Sequence, residues 1–221
     1  MGQKVNPQAL RLGILYNWES RWFAKKNYKD IVLEDYTLRS ALLEKLKFAG
    51  VARVEIERSI NSIKIIVFVS RPGMVIGRAG TGLEDLKKFI LSLLSKTDAK
   101  KTGKNAPRIE IRVEPVKEPN LDAYLVAKNI AEQLAKRLPY KRVLNQNAER
   151  VMTAGAKGVK IMLAGRIAGS EIGRREKIHL GKVSLSTIRE PITFASYPSL
   201  TKKGYIGVKV WINQKSTEGA K

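Results

Sequence analysis

The chain has no cysteine and one histidine, His179. Disulfides, thiolate nucleophiles and Cys/His zinc sites are excluded, and the lack of cysteine fits a reducing compartment. Any histidine-based triad would have to use His179, which lies in a basic, strand-like stretch and reads as a surface residue. Long apolar runs are also missing, since "IKIIVFV" and "FILSLL" are too short to span a bilayer. The N-terminal "MGQKVNPQALRLG" lacks a signal-peptide core, and Asn6 stands where myristoylation needs Ser or Thr. These absences predict a cytosolic, soluble protein with no cofactor, no metal, no membrane partner and no conventional active site.

Acid is scarce relative to base. Against 42 Lys and Arg there are 20 Asp and Glu, a formal charge of +22. The excess is not confined to a tail: 23 basic residues face 13 acidic ones up to position 120, and 19 face 7 beyond it. A compact fold with that much like charge repels itself until a polyanion neutralises it, which points to nucleic acid ahead of an acidic membrane surface. Hydrophobic content of 43% over 221 residues is enough for one large domain or two small ones.

Periodicity predicts the elements. "TLRSALLEKLKFAG" reads as a helix with Leu38, Leu42, Leu43 and Leu46 inward, ended by Gly50. "VARVEIER" alternates as a strand, with Glu55 and Glu57 on one face paired to Arg53 and Arg58; "SIKIIVFVS" is a more buried strand. Pro72 opens a short helix through Val75 and Ile76. After the glycines, Thr81 and Glu84 have capping-box spacing, and Leu83, Leu86, Ile90, Leu93 and Leu94 form one stripe. A basic loop at 96–104 precedes the strand "RIEIRVEP", and "PVKEPN" marks a domain boundary. Beyond it, Leu121, Leu125, Ile130, Leu134 and Leu138 predict a helix that Pro139 breaks. A second helix over 140–155 has Leu144, Ala148, Val151 and Gly155 inward and Lys141, Arg142, Asn145, Glu149 and Arg150 outward. Strands follow in "GVKIML", "EKIHLGKV", "PITFAS" and "YIGVKVWI". The expectation is α+β, with an N-terminal extension over 1–16, domains over 17–117 and 118–213, and a short tail over 214–221.

Three G-x-x-G matches occur, at 77–80, 155–158 and 204–207. The second reads as a helix cap and the third as a hairpin turn. Only Gly77, Arg78, Ala79 and Gly80 lie between two helices, where glycines admit a phosphate backbone and a helix N-terminus faces it. Neither a G-x-x-x-x-G-K-[ST] loop nor G-x-G-x-x-G is present. The element order and "VIGRAG" resemble a type II KH domain, whose loop grips single-stranded nucleotides.

Several further segments carry a resemblance to one family. "MGQKVNPQALRLGI", "SRPGMVIGRAG", "AGAKGVKIMLAGRIAGSEIGRRE" and "YIGVKVWI", in order from residue 1 to about 213, are similar to the bacterial family of ribosomal protein three of the small subunit. The resemblance implies a type II KH domain followed by a split β-α-β-type α/β-sandwich domain, in a structural, non-enzymatic constituent of the ribosome. It implies binding to ribosomal RNA at the lower head, with ribosomal proteins ten and fourteen beside it. It further implies a place, with proteins four and five, lining the channel through which messenger RNA enters. "YKRVLNQ" matches the stretch that faces this channel and helps unwind messages. Lys141 and Arg142 fit the pattern there, whereas Asn145 replaces a common third basic residue. Lys4, Arg11, Arg150, Arg166, Arg174, Arg175 and Lys177 are further candidates for RNA contact. The protein is expected not to be a stand-alone homo-oligomer. A free KH-domain RNA chaperone or translational regulator is the alternative.

Overall fold

The computed structural model describes residues 3–59, 62–97 and 108–215. The chain begins with α1 (Pro7–Leu10), β1 (Ser20–Arg21), α2 (Tyr28–Lys45), β2 (Val51–Arg58), β3 (Ser62–Val69), α3 (Pro72–Ile76), α4 (Thr81–Thr97) and β4 (Arg108–Pro115). It continues with α5 (Ala123–Ala135), α6 (Tyr140–Thr153), β5 (Gly158–Gly165), β6 (Arg174–Gly181), β7 (Ile192–Thr201) and β8 (Gly204–Asn213). These form two units, Trp18–Lys117 and Met1–Asn17 with Glu118–Lys221, and the fold is α+β.

In the first unit the sheet order is β1-β2-β3-β4, with β2 antiparallel to β3 and β4 parallel to β3. A parallel pair needs a crossover, here supplied by α3 and α4. Leu38 and Leu42 of α2, Leu46 just past its end, and Leu86, Ile90 and Leu94 of α4 bury against Val54, Ile56, Ile63, Ile65 and Val67. Helix α2 starts nine residues before the predicted helix. Its first turns invert the usual pattern: Glu34 and Asp35 are buried, while Tyr28, Val32 and Tyr36 are exposed. The buried acids are satisfied by Arg58, whose Nη1 donates to Glu34 at 2.8 Å and Nε to Asp35 at 2.7 Å. Asp35 also accepts from Trp22 Nε1 at 2.8 Å and Ser20 Oγ at 3.1 Å, so one carboxylate ties β1 to the helix. The sequence pattern suggests that Arg58 pairs along its own strand; the two buried carboxylates of α2 take it instead.

In the second unit α5 and α6 cover one face of an antiparallel sheet ordered β6-β5-β8-β7. Asp122 caps α5, accepting from the amides of Tyr124 and Leu125 at 2.9 and 3.0 Å. The buried face of α5 is Ala123, Val126, Ala127, Ile130, Ala131 and Leu134. Of the predicted stripe, Ile130 and Leu134 are buried, Leu121 and Leu125 are half-buried, and Leu138 is exposed; the small residues Ala123, Ala127 and Ala131 complete the inner face. Alanines let the helix approach β7, close enough for Ser199 Oγ to donate to the Ala131 carbonyl at 2.7 Å. Asn147, buried between the helices, donates to Gln133 Oε1 at 3.0 Å and to the Val143 carbonyl at 2.7 Å.

The N-terminal stretch belongs to this second unit. Asn6 caps α1 by accepting from the Gln8 amide at 2.9 Å, Pro7 is buried, and Arg11 is fully buried. The Arg11 guanidinium donates to the carbonyls of Pro7, Thr187 and Glu190 at 2.8 Å each, Leu185 at 3.1 Å and Ser184 at 3.4 Å. Arg11 is thus corrected from an RNA-contact candidate to a structural clamp: Nε, Nη1 and Nη2 all donate to backbone carbonyls, and the residue is buried.

Candidate nucleic-acid interface

Helix α3 ends at Gly77, where φ 71° with ψ −176° turns the chain and the Gly77 amide bonds back to the Gly73 carbonyl at 3.0 Å. A short 3-10 turn, Arg78–Gly80, follows, with Gly80 at φ 82°. These positive φ values explain both glycines. Gly82 has a different reason: a Cβ there would lie 2.5 Å from the Val75 carbonyl oxygen, so α3 and the start of α4 touch backbone to backbone. Thr81 does not act as the expected cap; it lies inside the first turn, and its hydroxyl donates to the Arg78 carbonyl at 3.0 Å. Gly77 and Arg78 are exposed, flanked by exposed Met74 and Ile76. The arrangement offers one cation, open main chain and apolar side chains beside it. Glu84 and Asp85, both exposed in the first turns of α4, oppose that cation locally.

Helix α6 separates its faces cleanly. Val143, Leu144, Asn147, Ala148 and Val151 are buried, while Lys141, Arg142, Asn145, Glu149 and Arg150 are exposed. Lys141 and Asn145 lie about 40° apart around the axis, with Arg142 about 60° beyond Asn145. Gly155, predicted on the inner face, lies past the helix end at φ 95° and serves the turn. Two further cations, Lys136 and Arg137 of "AKRLPYKR", stand at the preceding corner, where no helical or strand periodicity singles them out. Arg137 adopts φ 61°, its amide bonded to the Leu134 carbonyl at 2.9 Å and the Leu138 amide to Gln133 at 3.2 Å. This is a Schellman ending in which arginine holds the left-handed position that glycine favours.

The other candidates are dispersed. Arg150 is exposed in the last turn of α6, and Lys4 is exposed near the chain start. Arg166 is half-buried, with Nε donating to the Ser170 carbonyl at 2.9 Å, and so shapes a turn. Arg174 stands over the Tyr140 ring at 5.8 Å and 3.6 Å from Glu176, on the helix side of the second sheet. Arg175 and Lys177 are exposed on β6, as is His179. The basic loop at 96–104 lies, past Thr97, outside the described residues. Among the described residues no cluster of His, Cys, Asp or Glu suits a metal ion, and no helix is long and apolar enough to cross a membrane.

Residues 37–121 match the family described as KH domain, and residues 130–212 match Ribosomal protein S3, C-terminal domain. Small ribosomal subunit protein uS3 of Desulfitobacterium hafniense is 44% identical over 212 residues, covering 96% of this chain and 92% of the relative. The protein of that name from Thermodesulfovibrio yellowstonii is 46% identical over 212 residues, with 96% and 93% covered. That from Lactobacillus acidophilus is 44% identical over 214 residues, with 97% and 91% covered. With both units matched in order and the similarity running through nearly the whole chain, the protein belongs to the uS3 family of small ribosomal subunit proteins.

Proposed function

We propose that this protein is anchored in the small ribosomal subunit by RNA contacts and that the exposed face of α6 borders the path of incoming messenger RNA, positioning the strand and opposing its re-pairing. As a uS3 family member it is a structural constituent of the small subunit and not an enzyme, and its first unit is an RNA-binding KH domain. Ribosomal RNA of the lower head, ribosomal proteins ten and fourteen, and proteins four and five at the message channel belong to the same proposal. So does a place in the cytoplasm, within the ribosome.

The observation that carries the channel role is the pairing of a buried face on α6 with an exposed one bearing Lys141 and Arg142, next to Lys136 and Arg137. Their charges are held on a helix whose other side is fixed by the core, which suits contact with a moving phosphate backbone. Arg137 adds weight, because a non-glycine residue in the left-handed region costs on the order of 1 kcal/mol and such strain gathers at functional positions. Asn145 removes one phosphate contact from the face. A free KH-domain regulator would leave similarity to ribosomal relatives over 96% of the chain without a reason.

The test is translation by ribosomes carrying Lys141→Ala with Arg142→Ala. Messages with a stable hairpin should slow while unstructured messages and subunit assembly are spared, and Asn145→Lys should speed hairpin transit. A normal rate through the hairpin in the double variant refutes the channel role.

A further inference from the structure

The two sheets differ in the faces they turn away from their long helices. In the first unit that face carries Arg21, Arg53, Glu55, Glu57 and Lys64, and they neutralise one another. Arg21 pairs with Glu55 and, at 3.2 Å, Glu57; Arg53 pairs with Glu55 at 3.2 Å; Lys64 pairs with Glu57 at 2.9 Å. The hydrogen bond from Lys64 holds the Glu57 carboxyl below its ordinary value.

In the second unit the register brings Lys160 of β5 level with His179 of β6 and Trp211 of β8. The next row holds Lys177, Met162 and Lys209, and the one after it Arg175, Ala164 and Gly207. All of these point away from α5 and α6, because their neighbours Val159, Ile161, Leu163, Val208 and Val210 fill the core under the helices. Strand β7 adds Phe194, Ser196 and Pro198 to the same rows. No carboxylate occurs in these rows. Lys160, Arg175, Lys177 and Lys209 form no ion pair among the described residues, and all but the half-buried Lys160 are exposed. Burial, with Lys4 and Lys177 close by, pushes the Lys160 ammonium down from its ordinary value.

We propose that the face of the β6-β5-β8-β7 sheet turned away from α5 and α6 is a docking surface for the phosphate backbone of double-helical RNA, gripped by Arg175, Lys177, Lys209 and Lys160. The inference rests on the ribosomal reading and deepens it by naming the surface and the form of RNA. Charge complementarity selects the occupant: a face with four cations and no carboxylate suits a polyanion. The covered Trp211 ring selects the form. Trp211 is only 7% exposed and packs on the half-buried Phe194 with centroids 5.1 Å apart, so it offers a base no open stacking platform. Tyr205, an exposed ring in register with this face, lies beside the hairpin, beyond the charged rows. Lys177 and Lys209 flank β5 with Cα atoms about 10 Å apart, two strand spacings, so the charge is spread over a broad area. Duplex RNA is recognised by such backbone contacts, without readout of splayed bases.

The experiment measures binding of the full chain to an RNA duplex of about 16 base pairs, near the length a small RNA-binding domain spans, as salt is raised. Arg175→Gln, Lys177→Gln and Lys209→Gln are combined, with Lys25→Gln, Lys26→Gln and Lys29→Gln as a control of equal charge change. For three phosphate contacts the log-log salt slope should fall by roughly 2.7 in the first variant and less in the control. Lys177→Arg with Lys209→Arg should keep the parent slope, which separates charge from packing. Equal slopes in the two triple variants overturn the proposal. A triple variant that keeps its duplex binding but loses poly-glutamate binding overturns it in favour of an acidic protein. Reconstitution with ribosomal RNA separates the layers: a parent chain that fails to enter small subunits refutes the ribosomal reading itself. A parent that enters, alongside an unchanged duplex slope in the variant, refutes only the sheet face.

Discussion

Arg11→Ala removes a guanidinium that closes the second unit on itself. Arg11 is 0% exposed and donates to five carbonyls, one in the preceding helix α1 and four in the segment 184–190 before β7. A hydrogen bond to a charged group contributes about 1.5–3 kcal/mol, but the five share one side chain and some carbonyls will recover water. The comparison that fits best is the breaking of a buried charged network by deleting one member, about 3–5 kcal/mol. That is a large share of the 5–15 kcal/mol that ordinarily holds a domain together. Since the chain has two units, a single unfolding midpoint is a poor readout, and hydrogen exchange resolved by residue is the assay of choice. Protection should fall by about 3–5 kcal/mol across β7, β8 and the segment 184–190, with Trp18–Lys117 unchanged. Arg11→Lys, with a compact ammonium in place of a planar fork, should recover only part of the loss. A loss under about 1 kcal/mol, or one shared equally by both units, refutes the clamp.

Two more outcomes follow from the loops. Gly82→Ala sets a methyl 2.5 Å from the Val75 carbonyl and must push α3 from α4, whereas Gly80→Asp meets open space but is strained at φ 82° and adds a negative charge beside Glu84. Both should weaken single-stranded RNA binding by the folded protein, Gly82→Ala through geometry alone; unchanged affinity in both variants means the glycines serve only the turn. Arg137→Gly should raise stability by about 1 kcal/mol, the left-handed cost removed, while slowing hairpin messages. A variant that is both more stable and fully active means that the arginine has no role at that corner.

Much of this protein was legible in the chain because the relevant signals are local. Alternation gave β2 and β4 their inward faces, Pro72 and Gly77 bounded α3, and the inner residues Leu144, Ala148 and Val151 of α6 followed from helical spacing. The outward placing of Lys141, Arg142 and Asn145 came from the same spacing. Other features depended on partners distant in sequence. The first turns of α2 escaped notice because Glu34 and Asp35 point inward, an arrangement stable only once Arg58 arrives from another element. The buried face of α5 was legible only in part, at Ile130 and Leu134, because alanines count for little in a hydrophobic pattern until a strand presses against them. Charge shows the contrast most sharply. Net charge of +22 is a property of the sequence and pointed at once to a polyanion. Which cations are free to meet it is a property of register: pairing neutralises one sheet face, gathers Lys160, Lys177 and Lys209 unopposed on the other, and draws Arg11 out of solvent altogether. A residue's charge is written in its side chain, but its availability depends on which carboxylates and carbonyls the fold brings within reach.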